Sequence, residues 1–180
     1  EQYYKSKEIL KKINVKMGGG ANIDLLYSIV INSKFDRIIE SGVAYGWSSL
    51  SILSAIKNKK NAKLISIDLP YPDLSSVKYI GSVVPLHLKE KWQLIRKSDR
   101  SALKTVLVNN KFNLFHYDSD KSYYGRTWAY NLIWSYLEKD GILISDDISD
   151  NLAFIDFVSK IKVKPIIIQF KNKYIGLIFK

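Results

Sequence analysis

Short apolar runs alternate with longer stretches of helical spacing along most of the chain. Residues 3–13 suit a short helix, which Met17-Gly18-Gly19-Gly20 breaks because glycines favour turns. From Ala21 to Asn32 the apolar positions Ile23, Leu26, Tyr27 and Val30 fall on one helical face. Arg37-Ile38-Ile39-Glu40 then reads as a buried strand and Ser48 to Lys57 as a helix. Further strands are expected at Lys63 to Asp68, Trp92 to Arg96, Asn113 to Tyr117 and Gly141 to Ser145. Helices are expected at Ser101 to Val108, Arg126 to Glu138 and about Asn151 to Ile161. Strands that alternate with helices imply crossover connections and a mostly parallel sheet. The end departs from this rule. Lys164 to Phe170 and Tyr174 to Phe179 are two β-rich runs separated by Lys171-Asn172-Lys173, too short a link for anything but an antiparallel hairpin. The fold class is therefore α/β: a Rossmann-like, doubly wound, mostly parallel seven-stranded sheet with a C-terminal antiparallel hairpin.

The 180 residues fit one domain, 1–180, with 1–20 as an N-terminal helix and glycine-rich lead-in. Absence of cysteine excludes disulfides, thiolate zinc sites and thiol nucleophiles, and is compatible with a cytoplasmic enzyme. No apolar run approaches the roughly 20 residues that span a bilayer. The net charge of +11 admits two readings. One is attraction to nucleic acid or another anionic partner. The other is solubility from lysines scattered through the chain, such as Lys57 to Lys60 and Lys160 to Lys164, with no arginine-rich block. The scatter favours the second.

In open α/β sheets, ligands bind beyond the carboxyl ends of the strands, so the residues just after each apolar run carry the chemistry. After the first strand stands Glu40-Ser41-Gly42-Val43-Ala44-Tyr45-Gly46-Trp47-Ser48. Gly42 permits a tight turn and close ligand approach, Gly46 can bring the helix near the sheet, and Ser48 and Ser49 suit helix capping. Ala44 occupies the second glycine position of the dinucleotide fingerprint, which disfavours pyrophosphate. The second strand ends in Asp68, a carboxylate able to accept hydrogen bonds from both hydroxyls of a ribose.

Glu40-x-Gly42-x-x-x-Gly46 followed by Asp68 resembles the first two motifs of class I S-adenosylmethionine-dependent methyltransferases. The likeness runs from about Gly18 to Lys180 and is nearest to small bacterial O-methyltransferases acting on sugars, polysaccharide precursors or natural products. Five parallel strands and a terminal hairpin also suit that fold better than an ordinary dinucleotide-binding one. The resemblance implies that Glu40, Gly42, Ala44, Gly46, Ser48 and Asp68 serve the cofactor. It also places Ser98 and Asp99 after the third strand, where adenine is held; Asp99 could equally cap the next helix.

Asp118-Ser119-Asp120-Lys121 follows the fourth strand and Asp146-Asp147 the fifth. Neighbouring strand ends lie about 5 Å apart, so Asp118, Asp146 and Asp147 can converge as a hard oxygen site for Mg²⁺ or another divalent cation. The resemblance implies the same three positions. Asp118 is the leading candidate for handling the acceptor's proton or the metal. Lys121 stands where many relatives carry His; it would act as a base if burial lowered its pKa, or else neutralise the aspartates. Asp146-Asp147 could also cap the helix beyond Ile148.

Tyr71, Tyr79, Tyr123 and Tyr124 flank strand-end loops and are placed to line an acceptor pocket. His87 reads as solvated and His116 as packed, while Trp128, Tyr130, Trp134 and Tyr136 fit helix packing. Pro70-Tyr71-Pro72-Asp73 has the look of a base-methylating motif but follows the wrong strand, which disfavours methylation of nucleobases. The expected activity is S-adenosylmethionine-dependent O-methylation of a small-molecule or saccharide acceptor, with a homo-oligomer left open. The rivals are an RNA-directed methyltransferase or nucleic-acid-binding module, and a nucleotide-dependent oxidoreductase.

Overall fold

The computed structural model describes residues 2–69, 74–108 and 110–180. Its strands are β1 (Arg37–Ser41), β2 (Lys63–Ile67), β3 (Trp92–Ile95), β4 (Phe112–Tyr117), β5 (Leu137–Ser145), β6 (Ile166–Phe170) and β7 (Lys173–Phe179). They form one seven-stranded sheet in the order β3-β2-β1-β4-β5-β7-β6. The first five are parallel, and β7 runs antiparallel between β5 and β6. The expected sheet and terminal hairpin are both present.

The helices are α1 (Gln2–Lys11), α2 (Ile23–Ile31), α3 (Trp47–Ile56), α4 (Leu74–Val77), α5 (Asp99–Leu107), α6 (Tyr123–Tyr136) and α7 (Ala153–Ile161). Successive strand residues face opposite sides of a sheet, and the two cores follow from that alternation. Ile38, Leu64, Leu114, Ile142 and Leu177 pack against α2 and α3 on one face. Ile39, Ile67, Phe115, Leu143 and Ile178 pack against α5, α6 and α7 on the other. All six residues of β4 are buried, as befits a central strand covered on both sides.

Several boundaries differ from expectation, most of all around α6 and β5. Helix α6 begins at Tyr123 rather than Arg126, after its N-cap Ser122, whose side chain accepts from the Gly125 amide, and it ends at Tyr136 rather than Glu138. Leu137 is already strand and pairs with Phe112, and the register shifts before Leu114 meets Ile142. No helix among the described residues is long and apolar enough to cross a membrane.

The ladder continues one residue past four strand ends. Gly42 N–H donates to Ile67 O at 2.9 Å, and Asp68 N–H to Ile95 O at 3.0 Å. Asp118 N–H donates to Ser41 O at 2.7 Å, and Asp146 N–H to Tyr117 O at 3.0 Å. Each exit residue is thus held by the last carbonyl of a neighbouring strand. This pattern places four sequence-derived candidates along one edge.

Candidate functional site

A cavity of about 650 Å³ opens along that edge, a volume suited to a small-molecule ligand. Gly42, Ala44, Ser48, Asp68, Ser98, Asp99, Asp118, Lys121 and Asp147 line it, all of them candidates from the sequence. Glu40, Gly46 and Asp146 are buried or packed behind its wall and do not line it.

Glu40 is fully buried. Its Oε2 accepts from Ser49 Oγ at 2.5 Å and from Ser66 Oγ at 2.8 Å. Trp92 Nε1 donates to the same Ser66 hydroxyl at 2.8 Å. On the other side His116 Nδ1 lies 3.5 Å from Glu40 Oε1. Burial alone would lower the His116 pKa, but the Glu40 carboxylate raises it above the ordinary imidazole value. Glu40 therefore ties β1 to β2, β4 and α3 beneath the glycine loop. Ser49 serves this network rather than capping α3, whose N-cap is Gly46 in a left-handed conformation without a side-chain cap bond.

Both loop glycines answer to protein packing. Gly42 has φ +91°, and a Cβ there would lie 2.1 Å from the Asp118 carbonyl oxygen. Gly46 has φ +93°, and a Cβ would lie 2.9 Å from Gly81 Cα. The close neighbour of Gly46 is thus the turn at residues 81–84 rather than the sheet. Ala44 holds the left-handed φ of +48° that a middle glycine would adopt freely. The loop is braced by Asp68, whose Oδ2 accepts from Val43 N–H at 3.0 Å and Ala44 N–H at 2.8 Å. Burial raises the Asp68 pKa, with those two amides working against it.

The glycines of the lead-in also line the cavity. Tyr45 fixes their approach, since its hydroxyl donates to Val15 O and accepts from Met17 N–H. Gly18, Gly19 and Gly20 then pass along the cavity wall beside Ala44 and Trp47.

Ser98 is the N-cap of α5, and Asp99 is its first helical residue rather than its cap. Asp99 Oδ1 accepts from Ser41 Oγ at 2.5 Å. Burial raises its pKa, and the Ser41 hydroxyl opposes the shift.

Next to the glycine loop Asp118, Asp146 and Asp147 converge, each offering an oxygen within 4.8 Å of the others. Lys121 pairs with Asp118 and with Asp147 Oδ2 at 2.9 Å. Lys173 pairs with Asp146 Oδ2 at 2.6 Å and Asp147 Oδ1 at 3.3 Å. Burial raises the Asp118 pKa, with Lys121 acting against it. Burial would raise Asp147 too, but the two ammonium groups outweigh it and hold that carboxyl below its usual value. For Lys121, burial lowers the pKa while Asp118 and Asp147 more than reverse the effect, so the net shift is upward. That direction suits neutralisation of the aspartates and opposes use as a base. Asp146 is buried, and its Oδ1 has no hydrogen-bond partner.

Arg126 holds this loop from below. It is buried, and its guanidinium donates to Asp146 O at 3.0 Å, Asp147 O at 2.9 Å and Asp150 Oδ2 at 3.2 Å. Asp147 has a left-handed φ of +53° and its side chain makes no capping bond to the 3-10 turn Ile148–Asp150.

Among the described residues, the expected acceptor tyrosines Tyr79, Tyr123 and Tyr124 do not line the cavity. Tyr123 and Tyr124 are exposed on α6, and the Tyr123 hydroxyl donates to Asp156. Tyr79 packs with Met17, Val43 and Ile80. Tyr71 and the Pro70-Tyr71-Pro72-Asp73 motif lie outside the described residues. His87 is exposed and His116 is buried, as expected.

A family model described as a methyltransferase domain matches residues 39–148, from within β1 to the turn after β5. The chain belongs to this methyltransferase family. Membership sets aside the oxidoreductase reading. No curated protein matches the chain. Solved structures that resemble the methyltransferase domain include an O-methyltransferase from Bacillus cereus in complex with SAH, at 11% identity and a TM-score of 0.75, covering 99% of this chain and 90% of that one. The SAH-bound methyltransferase PaMTH1 of Podospora anserina aligns at 14% identity and 0.73, covering 99% and 87%. CalS11, a TDP-rhamnose 3'-O-methyltransferase of calicheamicin biosynthesis, aligns at 16% and 0.68, covering 87% and 76%. These neighbours share the seven-stranded architecture.

Proposed function

We propose that this chain moves the methyl group of S-adenosylmethionine to a hydroxyl of a small molecule or saccharide. The observation that carries the reading is one cavity lined both by the braced glycine loop and by Asp118 and Asp147 of the carboxylate cluster. The SAH-bound and sugar-methylating neighbours support the same choice.

The glycine loop and Ser48 would take the methionine part of the cofactor, Asp68 the ribose, and Ser98 with Asp99 the adenine. The sulfonium already activates the methyl group. A new carbon–oxygen bond forms as the carbon–sulfur bond breaks, and the acceptor gives up its hydroxyl proton. The protein's work is therefore alignment, exclusion of water and removal of that proton. Asp118, held above the usual carboxylate range by burial, is the proton acceptor in this reading. Lys121, as an ammonium, keeps Asp118 and Asp147 in place.

Three convergent carboxylates and the unpartnered Asp146 Oδ1 fit a divalent cation. Such an ion, when bound, would lower the acceptor hydroxyl's pKa and orient it.

Titration calorimetry with S-adenosylmethionine or its demethylated product tests the cofactor assignment. One site per chain is expected. Asp68→Ala should weaken it at least about tenfold, since it loses charged hydrogen bonds and the loop brace together. No binding by the intact protein would overturn the assignment.

A further inference from the structure

We propose that Lys173 is a built-in cation of the carboxylate cluster, and that a divalent ion enters the cluster only by displacing its ammonium group. The inference rests on the reading of Asp118, Asp146 and Asp147 as the acceptor-side metal position.

The topology explains how a hairpin residue arrives there. Strand β7 is antiparallel to β5, with Ser145 opposite Gly176. Its first residues therefore extend past the carboxyl end of β5, where Asp146 and Asp147 leave the sheet. A parallel strand in that place would bring its last residues instead. Lys173, the first residue of β7, lines the cavity and reaches Asp146 Oδ2 at 2.6 Å. The side chain of Lys173 is 23% exposed and that of Asp146 is 1% exposed, so the contact is formed away from bulk water.

Charge decides what the cluster can take. Three carboxylates facing two ammonium groups, those of Lys121 and Lys173, leave one net negative charge. A dication added to that arrangement would leave an excess positive charge at short range. If the Lys173 ammonium withdraws, the dication and Lys121 together balance the three carboxylates. Lys173 is also the one of the two lysines that engages Asp146, whose second oxygen is unpartnered and buried. Metal and Lys173 thus compete for the same carboxylate. Among the described residues, the contacts of the Lys173 ammonium group are those to Asp146 and Asp147, and the side chain already lines the cavity.

Calorimetric titration of Mn²⁺ into the cofactor-free protein tests this, because it needs neither cofactor nor acceptor. Lys173→Met should bind Mn²⁺ at least about tenfold tighter than wild type. Lys173→Arg, which keeps the cation, should stay near wild type. Asp146→Asn placed in the Lys173→Met background should abolish the gain. If Lys173→Met folds poorly, Lys173→Gln carries the same expectation. Equal Mn²⁺ affinity in wild type and both neutral variants overturns the proposal, and so does absence of binding in all of them. A product-binding titration on the same samples reports separately on the cofactor site, so failure of one does not mimic failure of the other.

Discussion

Replacing Gly42 by alanine should damage both halves of the site through one atom. A Cβ at this position would lie 2.1 Å from the carbonyl oxygen of Asp118 and 2.6 Å from its carbon, where real Cβ contacts do not fall below 3.0 Å. The two loops must separate by about 1 Å. That retreat pulls on the 2.7 Å bond from Asp118 N–H to Ser41 O. Alanine also pays about 1–2 kcal/mol for the left-handed backbone at φ +91°. Overpacking of a tight contact adds about 1–3 kcal/mol. A total near 3 kcal/mol, at roughly 2–4 °C per kcal/mol for a chain of this size, lowers Tm by about 6–12 °C. Thermal and guanidinium unfolding would measure the loss, with calorimetry reporting on cofactor affinity. Gly19→Ala is the control, because a Cβ there meets nothing within 4 Å, and its stability should stay within about 0.5 kcal/mol of wild type. Gly42→Ala unfolding within that same margin would refute the claim that the two loops are packed backbone to backbone.

Three further substitutions separate the scaffold from the chemistry. Glu40→Gln should cost about 3 kcal/mol at pH 6, by leaving the buried His116 without its counter-charge. Because the native His116 pKa lies above its ordinary value, the pair's contribution is complete below that value and fades as pH rises through the native one. Wild-type unfolding, measured with a chelator present, should therefore lose stability as pH rises above the ordinary imidazole value, while Glu40→Gln shows no such slope. Arg126→Lys should cost about 2 kcal/mol in urea unfolding, since an ammonium cannot reproduce the fork across two carbonyls. Asp150→Asn should cost less than about 1 kcal/mol, because that carboxylate is 44% exposed, and equal losses for the two variants would contradict the fork.

The strands, their order at the hairpin and the strand-exit residues were legible because they depend on local periodicity. Ile38 and Ile39 announce two opposed faces, and Gly42, Asp68, Asp118 and Asp146 fall at the ends of apolar runs. Roles that depend on contacts across the chain were not legible. Lys173 reads as one more turn lysine, and nothing local reveals that it meets Asp146, 27 residues earlier. Arg126 looks like an ordinary start to a helix, although it holds two site carbonyls. Gly18 to Gly20 read as a helix breaker, and only the Tyr45 hydroxyl explains why they reach the cavity. Tyr123 and Tyr124 failed for the converse reason. Proximity to a strand end does not fix which face of α6 Tyr123 and Tyr124 occupy, and they face outward.

The four exit residues, each fastened to a neighbouring strand's final carbonyl, also mark where this domain tolerates redesign. Everything up to Gly42, Asp68, Asp118 and Asp146 is frame. An exchange made after Asp68 must keep the turn at residues 81–84, which packs on Gly46, and one made after Lys121 must keep Arg126, which holds the Asp146 and Asp147 carbonyls. Transplants that keep these contacts should leave the sheet intact. A transplant that replaced an anchor itself would uncouple two strands as well as a loop.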